Sequence, residues 1–178
     1  MFLEQVIARD VLRTAAGVLD SARAAGADVI YTRVAFAPDY SDMHANSALL
    51  AGTLAAQCLQ EGTPGADIAA EVAPSGGDLV LTHQRIGAFA GTDLEQILRD
   101  RGINTLLLLG VATNASVETN ARWASDLGFN VVLVEDACSA TTLEAHAASA
   151  ASLGMMATIA SSADVIAALE TAVLEDAK

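Results

Sequence analysis

At 178 residues, with 53% hydrophobic and 17% charged positions, the chain is long enough for one domain with a sizeable core and too apolar for disorder. Nine basic against twenty-two acidic residues give a net charge of −13, which excludes a phosphate-backbone binder, and aromatics at 4% exclude a base-stacking platform. No apolar run approaches the roughly 18 residues of a bilayer span, so neither nucleic acid nor a membrane is an expected partner.

The first ten residues lack the basic-then-apolar order of a signal peptide, so a cytoplasmic location is expected. Ile7, Val11, Ala15, Val18 and Ala22 recur at helical spacing and predict a helix over 5–24. The β-branched run 27–36 predicts a strand. Residues 37–74 hold Pro38, Asp39, Tyr40, Asp42 and His44, then Gly62-Thr63-Pro64-Gly65, and read as a long loop with one helix. A second strand is expected at 78–82. Thr92-Asp93-Leu94-Glu95 has the form of a capping box and opens a helix that stops at Gly102.

A third strand, 105–109, runs into Gly110-Val111-Ala112-Thr113-Asn114-Ala115-Ser116-Val117 and a helix over 115–127 closed by Gly128. A strand–turn–helix of this kind aims several backbone N–H groups at one spot, ready for an anionic oxygen. Further strands at 130–134 and 155–160 alternate with helices from 141 to Gly154 and over 161–174. Short apolar strands separated by helices specify βαβ units: a three-layer α/β/α domain with a mostly parallel, doubly wound sheet. The whole of 1–178 reads as a single domain, opening on a helix where such a sheet usually begins with a strand. Cys58 and Cys138 lie far apart, with no CxxC and no clustered histidines, so neither a disulfide framework nor a metal site is indicated. Both are expected as small core residues. Trp123 is expected at a core edge or interface, and no GxGxxG follows a strand, so no nucleotide cofactor is expected.

Ligands of open α/β sheets bind beyond the carboxyl ends of the strands. That rule selects 36–42, 83–85, 110–116 and 136–138, with Phe36, Arg85, Thr113, Asn114 and Asp136 as candidate substrate contacts.

These same segments, in order, resemble the isochorismatase-like hydrolase superfamily, which includes nicotinamidases and N-carbamoylsarcosine amidohydrolases. The likeness runs from about Arg9 to Ala168. It rests on Gly62-Thr63-Pro64-Gly65, Thr82-His83-Gln84-Arg85-Ile86-Gly87-Ala88-Phe89, Gly91-Thr92-Asp93-Leu94, Gly110-Val111-Ala112-Thr113-Asn114 and Glu135-Asp136-Ala137-Cys138. The resemblance implies a general-base aspartate ending the first strand, a lysine after the third and an attacking cysteine after the fourth. This chain departs at each place. His83 stands at the lysine position, Ser116 stands at the cysteine position, and the aspartate-bearing strand has no counterpart.

The resemblance also implies a cis Val111–Ala112 peptide, an oxyanion hole from the N–H groups of Ala112 and Ser116, and a homodimer or homotetramer. In the family the first strand lies mid-sheet, so its absence implies a gap beside 105–109 lined by unpaired backbone groups. A serine needs an adjacent base to react. His83 is the candidate, with Asp39, Asp42 or Asp136 to orient it. The plainer reading is that Ser116 caps its helix and His83 is a polar rim residue. The expected function is hydrolysis of a small amide or a related carbonyl or vinyl-ether compound. The alternative is a catalytically inactive small-molecule-binding or regulatory protein.

Overall fold

The structure, a computed structural model, describes residues 2–176. Its elements follow in chain order as α1 (Leu3–Ala8), α2 (Val11–Ala24), β1 (Ile30–Val34), α3 (Ala48–Ala55), β2 (Leu79–His83), α4 (Leu94–Asp100), β3 (Thr105–Val111), α5 (Glu118–Asp126), β4 (Asn130–Ser139), α6 (Leu143–Leu153), β5 (Thr158–Ala160) and α7 (Ser162–Asp176). Short 3₁₀ turns cover Pro64–Ala66 and Ala70–Val72, and a π-helical turn covers Thr113–Val117.

All strand pairs are parallel, and helices cover both faces, giving the three-layer α/β/α arrangement that the alternation predicts. Period-two burial builds it. Val131, Leu133 and Cys138 of β4 pack with Leu94 and Leu98 of α4, Ala121 and Ala124 of α5, and Leu153 of α6. Val134 and Ala137 point the other way, onto Ala15 and Val18 of α2 and Val165 of α7. Among the described residues no helix is long and apolar enough to cross a membrane.

The strands form two ladders, β1–β2 and β3–β4–β5, with no pairing between β1 and β3. Among the described residues, the edge of β3 away from β4 therefore has no strand on it. Leu106 to Gly110 remain only half-buried, while Val131, Leu133 and Val134 on the neighbouring β4 are buried. This interruption falls beside 105–109.

Three features differ from the sequence expectation. The helix expected over 5–24 is broken in two, because Asp10 takes a left-handed φ of 53° and turns the chain between α1 and α2. The capping box at 92–95 does not form. Thr92 Oγ1 accepts from the Leu94 amide at 3.2 Å, while Glu95 pairs with Arg99 on its own helix at 3.4 Å. The fourth strand is longer than expected and irregular. Leu108 pairs with Leu133, but Gly110 pairs with Cys138, so β4 carries extra residues in between. Gly110 has φ 117°, a backbone region that strains any side-chain-bearing residue. The irregularity frees Glu135 and Asp136 from the ladder to make side-chain bonds elsewhere.

Candidate active site

The turn after β3 is the centre of the candidate site. The Val111–Ala112 peptide is cis, and Ala112 is extended (φ −101°, ψ 144°) before the chain coils into the π-helical turn and α5. The N–H groups of Ala115 and Val117 donate to the Ala112 carbonyl at 3.0 and 3.2 Å, leaving the Ser116 amide between them out of that pattern. No side chain caps the start of the turn or of α5, so Ser116 is not the cap of its helix. Amides at a helix start that no side chain caps attract an anionic oxygen.

Ser116 itself is half-buried, and its Oγ accepts a long hydrogen bond of 3.5 Å from Asn120 Nδ2. The buried Asn120 in turn accepts from the Ala88 amide at 2.7 Å through Oδ1. One side chain thus joins the loop after β2 to the helix that carries Ser116.

His83 closes β2 and is 1% exposed. Its Nδ1 lies 2.8 Å from the Arg85 carbonyl, which only accepts, so Nδ1 carries the proton and Nε2 the lone pair of the neutral ring. Burial lowers its pKa, with the Arg85 bond opposing, so the imidazole is held below the ordinary histidine value. The partner that orients His83 is therefore a backbone carbonyl and none of the three expected aspartates. Asp39 accepts from the Ser41 amide (3.1 Å) and Asp42 from the Ala37 amide (2.9 Å). Asp136 accepts from the Ser162 amide (2.7 Å) and hydroxyl (2.6 Å), capping α7 from across the fold. Among the described residues His83 and Ser116 share no hydrogen bond.

The expected substrate contacts divide in two. Phe36 is 1% exposed and bridges to Gln60, and Thr113 is fully buried with its hydroxyl on His146. With Asp136 committed to α7, these three are taken up by the protein's own packing. Arg85 is half-buried and its guanidinium donates to the Gln84 carbonyl (3.1 Å), while Asn114 is exposed beside the turn. Those two remain available to a ligand.

Neither cysteine lies in the turn. Cys138 is buried as expected, and burial pushes its thiol up to about 12, which keeps it protonated and inert at neutral pH. Cys58, expected in the core, is exposed. Trp123 is half-exposed and stacks on Phe89 with ring centroids 6.1 Å apart, at the edge of the core.

Sequence spacing did not point to His146, although it lies on the buried stripe of α6 with Ser149, Ala150 and Leu153. A histidine on that apolar stripe was the available signal. Its partner Glu135 lay inside a quoted motif, but nothing local indicated what it would bond.

Comparison with known proteins places this geometry among relatives. The Isochorismatase domain model matches residues 3–164. An uncharacterised isochorismatase family protein of Escherichia coli O157:H7 is 38% identical over 135 residues, covering 76% of this chain and 70% of that protein. The ureidoacrylate amidohydrolase of Agrobacterium fabrum is 36% identical over 131 residues, and the match covers 67% of this chain and 58% of that enzyme. Among solved structures, an isochorismatase family protein from Desulfovibrio vulgaris is similar, with a TM-score of 0.82 at 32% identity, covering 90% of this chain and 85% of that one.

Proposed function

Because the chain belongs to the isochorismatase family of hydrolases, we propose that it hydrolyses a small amide, with Ser116 in the nucleophile's place. The observation that carries this reading is the uncapped turn at Ala112–Ser116, with the half-buried Ser116 hydroxyl beside it. A carbonyl oxygen seated against the Ala112 and Ser116 amides gains most as it becomes an oxyanion, which lowers the barrier to attack. The likeness to an amidohydrolase supports an amide as the substrate class.

In this reading the Ser116 oxygen attacks the carbonyl carbon. Its proton goes to the Nε2 lone pair of His83, and the resulting imidazolium protonates the departing amine. Water then attacks the acyl-serine carbonyl carbon: it gives one proton to the Nε2 lone pair of His83, the bond to the serine oxygen breaks, and His83 passes that proton to Ser116 as the acid is released. Asn120 Nδ2 donates to the serine oxygen and so leaves the hydroxyl proton free to depart. Arg85 and Asn114 orient the substrate. Expected in a panel of ureido, carbamoyl and simple primary amides is turnover that Ser116→Ala reduces at least about 100-fold. An unchanged rate in Ser116→Ala rules out the serine as nucleophile.

A second reading is favoured by His83, which has no carboxylate partner and no bond to Ser116. It is a binding protein that keeps the oxyanion turn. It predicts an amide that raises Tm without being consumed, and no amidase activity in Ser116→Cys combined with His83→Lys.

A further inference from the structure

Three side chains behind the turn form a hydrogen-bonded series that no part of the proposed chemistry uses. Thr113 Oγ1 lies 2.8 Å from Nδ1 of His146 on α6, and Nε2 of the same ring bonds the Glu135 carboxylate on β4. Thr113 and His146 are 0% and 2% exposed. The Glu135 carboxylate also accepts from Arg9 Nη2 at 2.8 Å; the same Nη2 donates to the Glu135 carbonyl (3.2 Å) and Arg9 Nε to the Cys138 carbonyl (3.0 Å).

The direction of the series follows from the inventory of donors. Burial works to raise the Glu135 pKa, but the bonds from His146 and Arg9 outweigh it and hold the group below the ordinary carboxylate range. An ionised carboxylate only accepts, so Nε2 of His146 carries a proton. In the neutral ring Nδ1 then holds the lone pair, and the Thr113 hydroxyl donates to it. The proton order runs threonine to histidine to glutamate, as in a nucleophile triad, except that this hydroxyl is sealed from any substrate.

A second side chain of α6 lies against the same residue. Ser149, three positions after His146, has its Oγ 3.2 Å from the Thr113 carbonyl. Its one hydroxyl proton goes to Glu118 at 2.5 Å, which pairs with Arg122 at 2.8 Å on α5. Thr113 lies between the cis peptide and Ser116, with its side chain bonded to α6 and its carbonyl in contact with the same face of that helix.

We infer that Thr113, His146 and Glu135 are positioning residues that set the geometry of the Ala112–Ser116 turn, with Arg9 tying α1 into the same series. This rests on the turn's being the site proposed above. Locking the residue between the amides proposed to hold the oxyanion keeps them aimed without reorganisation when charge develops.

Hydrogen exchange tests it without any substrate. In Thr113→Val, which keeps the shape and removes the hydroxyl, amides 113–117 are expected to exchange at least about tenfold faster, with β4 amides unchanged. Thr113→Ser restores protection. Glu135→Gln, which removes the charge at the far end, moves the same amides and serves if Thr113→Val does not fold. If an amide is turned over, both variants lower kcat by about 10- to 100-fold with KM nearly constant. Wild-type exchange at 113–117 in both Thr113→Val and Glu135→Gln overturns the inference. So does an NMR spectrum showing His146 deprotonated at Nε2. Failure to hydrolyse any amide overturns the hydrolase reading alone and leaves the exchange comparison standing.

Discussion

Gly87 lies in the loop after β2 where a side chain would run into α5, and it shows how a single position sets the site. A Cβ added there meets Thr119 Cγ2 at 2.6 Å and Asn120 Oδ1 at 3.4 Å. Thr119 is β-branched on a helix and cannot swing aside cheaply. Overpacking of this kind costs about 1–3 kcal/mol, which exceeds the roughly 0.4–1 kcal/mol that alanine gains by restricting the unfolded chain. Gly87→Ala is therefore expected to lower the urea midpoint, and Thr119→Ser in that background, which removes the offending methyl, to recover most of it. An unchanged midpoint in Gly87→Ala shows that the loop is free to move off α5. At the same scale, Asn120 and His146 illustrate buried polar groups that are satisfied and hence directional.

The elements explain why the site has the shape it does. Parallel strands ordinarily sit in the middle of a sheet with both edges paired. Here, among the described residues, β1 and β3 each keep one edge without a strand, and β3 is a run of leucines, so half-buried apolar residues line that edge. Such edges invite another strand. Concentration-dependent association is therefore expected by sedimentation velocity. Thr32→Lys, at the exposed centre of β1, is expected to weaken it while leaving the thermal midpoint nearly in place. Association that is indifferent to Thr32→Lys points to another surface. The break between α1 and α2 belongs here too, because it is what delivers Arg9 to β4.

At the scale of the whole molecule the groups that titrate below neutral pH act in one direction. His83 is held neutral by burial, so its folded pKa lies below the unfolded value of about 6.5. The unfolded chain then binds more protons, and the stability is full above that value and is lost as pH falls below it. Asp78 is lowered chiefly by Arg23, and Glu118 by Ser149 and Arg122 against the opposing pull of burial. Glu135 behaves like Glu118. Carboxylates lowered in the fold give stability that is present above their unfolded values near 4 and is lost as pH falls through the folded ones. The unfolding free energy is thus expected to decline in two stages, first below about pH 6.5 and again below about pH 4. His83→Asn flattens only the first. A curve level from pH 7 to 5 contradicts a buried neutral His83.

Much of this protein is local. Periodicity, turn residues and the alternation of short apolar strands with helices were enough to place five parallel strands, the covering helices and the turn at Gly110–Ser116, because each element buries one face with a fixed repeat. The ordered series of short motifs was enough to place the chain in its family. The tertiary structure decided what spacing does not encode. The Arg9–Glu135 bond spans 126 positions and the Thr113–His146 bond spans 33. Asp136 became a cap for α7, and His83 took a carbonyl for its partner. Burial patterns repeat along the chain and can be read there. A hydrogen bond joins whichever polar groups the packed elements leave facing each other, and that is settled only when the layers close.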